Sequence, residues 1–105
     1  MKSSRPPRLR GFDEPTGSFK RNARRLPPRT REDLGRAVEE LLQGDLSPGR
    51  NFEQLTNMSG VYSVRLGRNY RFVFGVTAGS AYPIAVGPHD QAYADATRRY
   101  RRRRS

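Results

Sequence analysis

Four side chains in the second half of the chain are of the types that break a phosphodiester: Arg65, Arg71, His89 and Tyr93, with Ser63 and Arg68 close to them in sequence. Arginine offers a fork of donors that matches phosphate oxygens, and it stays charged at any working pH. His89 is the one histidine of the chain, and an imidazole of ordinary pKa gains or loses a proton near neutrality. Tyr93 adds a phenol able to donate a hydrogen bond or a proton. Such a set suits metal-free cleavage of RNA. A base takes the proton of the 2′-hydroxyl, cations stabilise the pentacoordinate phosphate, and an acid protonates the departing 5′-oxygen. General acid–base help contributes about 10²–10⁴-fold, and charge stabilisation can exceed it. DNA has no 2′-hydroxyl, so this chemistry would be specific for RNA. Each residue also has a plain structural reading. A histidine after a strand is commonly a hydrogen-bonding group, a surface arginine cluster a solvated or phosphate-docking face, and Tyr93 a partly buried core residue.

The elements that must position these groups start with residues 60–76, GVYSVRLGRNYRFVFGV. Two alternating runs flank a Gly67-Arg68-Asn69 break, the pattern of a β-hairpin. Tyr62, Val64 and Leu66 share one face with Tyr70, Phe72, Phe74 and Val76, while Ser63, Arg65, Arg71 and Val73 fall on the other. A third strand is expected over residues 82–87, with Tyr82, Ile84 and Val86 on one face and Pro83 at an unpaired position or near the strand start. His89 follows it directly. Residues 92–100 read as a final helix or an extended segment, and residues 101–104 as frayed.

Upstream, residues 18–25 read as a short helix with Phe19, Ala23 and Leu26 on one stripe, closed by Pro27-Pro28. Residues 30–43 read as a second helix. Thr30 with Asp33 makes a capping pattern, Leu34, Val38, Leu41 and Leu42 form the apolar stripe with Ala37 beside it, and Gly44 is the C′ residue. That stripe should pack on the apolar face of the hairpin, and Glu39 and Glu40 read as a solvated face. Residues 45–60 read as a loop, with Phe52, Leu55 and Met58 closing one edge of the core. Residues 8–12 could add a short strand at a sheet edge. The expected fold class is α+β: a small, twisted, mostly antiparallel β-sheet with two N-terminal helices packed on one face.

Composition sets the limits. A chain of 105 residues with 33% hydrophobic residues is one domain with a single small core. Its net charge of +11 makes an anionic partner the default expectation. The charge sits at the ends: residues 1–25 carry +6 and residues 98–104 another +6, against −1 for residues 26–97. The organisation is therefore a basic Pro/Arg-rich arm over 1–17, a folded domain over 18–97 and an Arg-rich tail over 98–105. With no cysteine, one histidine and no clustered carboxylates, neither a metal nor another cofactor is expected. No apolar run approaches a signal sequence or a membrane span, so a soluble, cytoplasmic protein is expected.

The order of these parts carries more. The pieces Tyr62-x-Val64-Arg65-Leu66, Asn69-Tyr70-Arg71-Phe72-Val73-Phe74 and Val86-Gly87-Pro88-His89-Asp90-x-x-Tyr93 follow a capped amphipathic helix. From Phe19 to Thr97 the chain resembles the RelE/ParE superfamily of bacterial toxin–antitoxin toxins. The resemblance implies two N-terminal helices on a small twisted sheet. It also implies, for the ribosome-dependent members, metal-free messenger RNA cleavage that leaves a 2′,3′-cyclic phosphate and represses translation. In that frame Arg65 is a basic residue on the concave face and Arg71 stabilises the scissile phosphate. His89 stands where relatives carry arginine or histidine, and Tyr93 matches a tyrosine that stacks on or orients the nucleotide. Ser63 departs from the pattern, since several active relatives have a lysine there; without it, either His89 serves as the base or the activity is low. Ser63, Arg68, Lys20, Arg21, Arg24, Arg25, Arg98 and Arg99 are the candidates for RNA and phosphate contacts. The implied partners are the ribosome, messenger RNA and a cognate antitoxin, an acidic, partly disordered segment that folds onto the arginine face. The superfamily also contains inhibitors of DNA gyrase. A ParE-like gyrase inhibitor, or a non-catalytic nucleic-acid-binding module, therefore stays open as an alternative.

Overall fold

The structure, a computed structural model, describes residues 6–104. The first five residues of the basic arm and Ser105 lie outside the described residues. The chain runs β1 (Gly11–Phe12), α1 (Gly17–Arg24), α2 (Pro28–Gln43), β2 (Glu53–Gln54), β3 (Val61–Leu66), β4 (Tyr70–Thr77), β5 (Ser80–Pro88) and α3 (His89–Arg104). The five strands form one sheet in the order β1-β5-β4-β3-β2. The edge strand β1 runs parallel to β5, and the other pairings are antiparallel. The class is α+β, as the sequence implies.

The hairpin faces divide as their alternation requires. Val64, Leu66, Phe72 and Phe74 are buried with Phe19, Ala37 and Leu41 of the two N-terminal helices and with Leu26 of the link between them. Phe72 and Phe74 stack with ring centroids 5.3 Å apart. Burying an aromatic or large aliphatic side chain is worth roughly 1.5–3 kcal/mol, so this layer supplies most of the fold's cohesion. The opposite face is covered as well. Val61, Val73, Ile84 and Ala85 meet Ala92 and Ala96 of α3, and alanines let that helix approach the sheet closely.

Several local expectations need correction. α2 begins at Pro28, whose missing amide proton suits the first helical turn, and no side chain caps it. Asp33 is therefore free of capping and instead accepts from the Gly67 amide of the hairpin turn at 3.1 Å. Gly44 does close the helix in the left-handed conformation, at φ 74°. The segment read as a loop contains β2, whose Glu53 is the register partner of Ser63. In β5, Phe74 pairs with Pro83 and Val73 with Ala85, leaving Ile84 as the extra residue of a β-bulge. The bulge reverses the side-chain parity. Tyr82, Ile84 and Ala85 face α3, while Val86 crosses to the layer of Phe72. The last helix starts at His89 and continues through Arg104 rather than fraying after Tyr100.

Candidate active site

Strand parity places Ser63 and Arg71 on the α3 side of the sheet, and the first turns of α3 bring His89 and Tyr93 over them. The backbone N–H of His89 donates to the Asn69 carbonyl at 3.0 Å, pinning the start of α3 to the hairpin turn. From there four polar groups close a ring. Arg71 Nη2 donates to Ser63 Oγ at 2.6 Å. Ser63 Oγ lies 3.1 Å from the Tyr93 hydroxyl. That hydroxyl donates to Glu53 Oε1 at 2.9 Å, and the same oxygen stands 3.3 Å from Arg71 Nη2. The Asn51 carbonyl accepts a further bond from Arg71 Nη2 at 2.9 Å. Asn51 itself holds a left-handed φ of 50°, a conformation asparagine tolerates better than most residues.

Arg71 is 3% exposed, and its Nε is buried without a hydrogen-bond partner among the described residues. A guanidinium in that position needs a counter-charge, and Glu53 supplies it. The ring of His89 lies 4.5 Å from that of Tyr93, and its Nδ1 is 2.9 Å from Asp90 Oδ1. The imidazole is more than half exposed, so one of its edges is open to a substrate. Arg65 is the cross-strand partner of Arg71 and is exposed. Two like charges directly opposite on antiparallel strands repel. Glu53 compensates Arg71, and Arg65 has no ion pair among the described residues. An anion is favoured beside Arg65.

Ser63, Arg71, His89 and Tyr93 thus converge, with Arg65 beside them. Arg68 is exposed in the hairpin turn. The other cations lie elsewhere. Lys20, Arg21, Arg24 and Arg25 are exposed on α1, where Lys20 pairs with Glu14 at 3.0 Å. Arg98 pairs with the buried Asp95 at 2.7 Å. Arg99 is a strut of the fold: its Nη1 donates to Asn22 Oδ1 and to the Ile84 carbonyl, each at 2.8 Å. Burial and the neighbouring positive charges of Arg98, Arg102 and Arg21 lower its pKa, against the pull of Asp95.

Sequence reasoning passed over Glu53, a charged residue in a stretch without apolar alternation. It also passed over a second charged group that holds Glu53's strand in place. Arg50 is 7% exposed. It meets both carboxylate oxygens of Asp33 at 2.9 and 3.0 Å and Glu40 Oε1 at 2.9 Å. Its Nη1 donates to the Arg65 carbonyl at 3.1 Å, and its own carbonyl accepts from the Arg65 amide at 2.6 Å. Glu40 is accordingly no solvated side chain. The bond from Arg50 holds its pKa down, from 4.5 to about 2, with Ser47 adding to the effect. This clamp ties α2 to the segment carrying Asn51 and Glu53. Among the described residues no group of three His, Asp or Glu side chains could hold a metal ion, and no helix is long and apolar enough to cross a membrane.

Neither a family model nor any curated protein matches this sequence. Solved structures do. A chain of the RelB–RelE antitoxin–toxin complex from Methanococcus jannaschii superposes with a TM-score of 0.63 at 18% identity, over 79% of this chain and 94% of that one. A double-arginine mutant of the Escherichia coli toxin RelE in the free state gives 0.63 at 24% identity, over 85% and 93%. The chain has the RelE fold. A third RelE-fold neighbour, from the toxin–antitoxin complex RelBE2 of Mycobacterium tuberculosis, superposes at 0.55 with 22% identity, over 79% and 92%. In this fold Ser63 and Arg71 are buried beneath the first turns of α3, and Arg65 is exposed beside them.

Proposed function

We propose that the chain is the toxin of a toxin–antitoxin pair and an endoribonuclease that cuts messenger RNA on the ribosome. The observation that carries this reading is the ring of Arg71, Ser63, Tyr93 and Glu53 with the His89 imidazole against it. The ring supplies a carboxylate held by a guanidinium, and His89 supplies an exposed imidazole. Those are the base and the acid that cleavage through a 2′-hydroxyl needs.

In this scheme Glu53 takes the 2′-hydroxyl proton, and the 2′-oxygen attacks phosphorus. Arg65, exposed and uncompensated, stabilises the added charge on the phosphate, with Arg71 behind it. Protonated His89 gives its proton to the 5′-oxygen as the P–O bond breaks. The products are a 2′,3′-cyclic phosphate and a 5′-hydroxyl. Tyr93 orients Glu53 and presents its ring beside His89 for a base to stack upon. Glu53 thus takes the role of base that the sequence had left to His89, and Ser63 is the small residue that lets Arg71 reach Glu53.

The relatives found as RelB–RelE complexes support an antitoxin partner for this chain too. An acidic segment fits the Arg65 face, and β2 offers it a sheet edge. The experiment is induction of the chain in cells, with primer extension across transcripts. The wild type is expected to arrest growth and cut messages, and Glu53→Gln or His89→Ala to relieve both. Intact transcripts with raised gyrase-dependent DNA cleavage would replace this reading with gyrase inhibition.

A further inference from the structure

We propose that the groove between the start of α1 and the end of α3 is a second nucleic-acid site, which takes single-stranded RNA with a base on Tyr82 and phosphates on Arg102 and Arg103. The groove has a volume of about 370 Å³ and is lined by Ser18, Tyr82, Pro83, Arg99, Arg102 and Arg103 among others. That volume falls within the usual range for small-ligand sites, roughly 300–1,000 Å³.

Tyr82 is a platform. Its ring lies so close to Gly75 that a Cβ on the glycine would overlap it, so one face is sealed against the sheet. The other face carries the guanidinium of Arg103, 3.7 Å from the ring centroid. A face that accepts a flat cation also accepts a flat base, and aromatic platforms beside cationic grooves are how single strands are held without sequence preference.

The cations converge from two helices that are far apart in the chain. Arg99 is fixed by Asn22 of α1 and by the Ile84 carbonyl, and the charges of Arg98, Arg102 and Arg21 act on it together. Asp95 is bonded to Arg98 and stands 3.9 Å from Arg99. Guanidinium groups offer forked donors that match phosphate oxygens. A base swinging onto Tyr82 displaces Arg103 towards the phosphate that accompanies it. A shallow channel on α3 is lined by Ala94, Thr97, Arg98 and Arg101. His89 and Arg102 are about 20 Å apart along that helix at 1.5 Å per residue, close enough for one strand to span both.

The test is fluorescence anisotropy with a short labelled single-stranded RNA, 2′-O-methylated so that cleavage through the 2′-hydroxyl cannot occur. Arg102→Gln with Arg103→Gln, at the exposed end of α3, is expected to weaken binding about 10-fold. The double change should also lower the slope of log K against log salt by about 1.4, at roughly 0.7 per phosphate contact. Tyr82→Leu should weaken binding by a similar factor while Tyr82→Phe retains it. Unchanged affinity in the double arginine variant overturns the proposal. So does equal affinity for duplex RNA, or for an acidic peptide whose binding ignores Tyr82→Leu; the latter would make the groove a protein-docking surface. Wild-type protein that binds this RNA yet cuts no message sinks the cleavage reading and leaves the groove standing.

Discussion

Glu53 and Arg71 stand 3.3 Å apart although their strands, β2 and β4, are not neighbours. β3 lies between them, and Ser63 is the residue over which they meet. Its hydroxyl takes a bond from Arg71, and its small volume leaves the gap open. A carboxylate steered by a guanidinium across an intervening strand is held more firmly than one on a free loop. That firmness is what a general base needs.

Glu53→Gln should be felt in both chemistry and folding. The new amide is solvated, since the side chain is 45% exposed, but buried Arg71 loses its counter-charge. The thermal midpoint by circular dichroism should therefore fall, and cleavage is compared at a temperature where both proteins are folded. Cleavage, followed by primer extension on ribosome-bound message, should fall about 10²–10⁴-fold. Full activity in this variant would remove Glu53 from the mechanism.

Arg50→Ala should strike the fold instead. It strands Asp33 and Glu40 and releases the segment leading to Glu53. Breaking a buried pair by deleting one partner costs roughly 3–5 kcal/mol, readable as a lowered urea midpoint. Two distinct effects are expected, because a residual folded population should also lose cleavage as Asn51 and Glu53 drift.

Acid should unlock the same clamp. Glu40 titrates near 2 in the folded chain against 4.5 ordinarily, chiefly because of the Arg50 bond, and Asp33 is shifted the same way. A depressed folded pKa means stability that is complete above about 4.5 and disappears as pH falls towards about 2. Thermal midpoints of the wild type should drop across that window. In Arg50→Ala the drop should be shallower, because the shift it depends on is gone; parallel curves would refute the assignment.

Gly75→Ala should be felt at Tyr82. The new methyl overlaps the ring, and overpacking of this kind costs typically about 1–3 kcal/mol. A drop in thermal midpoint together with weaker binding of single-stranded RNA is expected. A methyl accommodated with neither change would show that the ring can lift freely from the sheet.

The parts of the chain legible from sequence are those with strong periodicity. The hairpin's period-two alternation placed Phe72 and Phe74 inward and Ser63 and Arg71 on the other side. Gly44 marked the end of α2. Other parts carried no such signal. β2 is two residues long and exposed, held only by its register with β3, so Glu53 looked like a loop residue. The bulge at Ile84 shifts parity by one, which alternation cannot foresee. α3 buries alanines and a paired aspartate, so its inward face lacks the large apolar residues that make a helix visible. Asp33 and Glu40 belong together only through Arg50, which no local pattern links to α2. Pairings that depend on partners far along the chain are settled by packing.

The helix that opens with His89 is also the last of these elements to be synthesised. Until it docks, Glu53, Ser63 and Arg71 are assembled without an imidazole beside them, and the alanine-facing side of the sheet is bare. The ring of Arg71, Ser63, Tyr93 and Glu53, and the imidazole against it, therefore come together only after the chain has grown past Tyr93, so the site is completed by the docking of one helix rather than strand by strand.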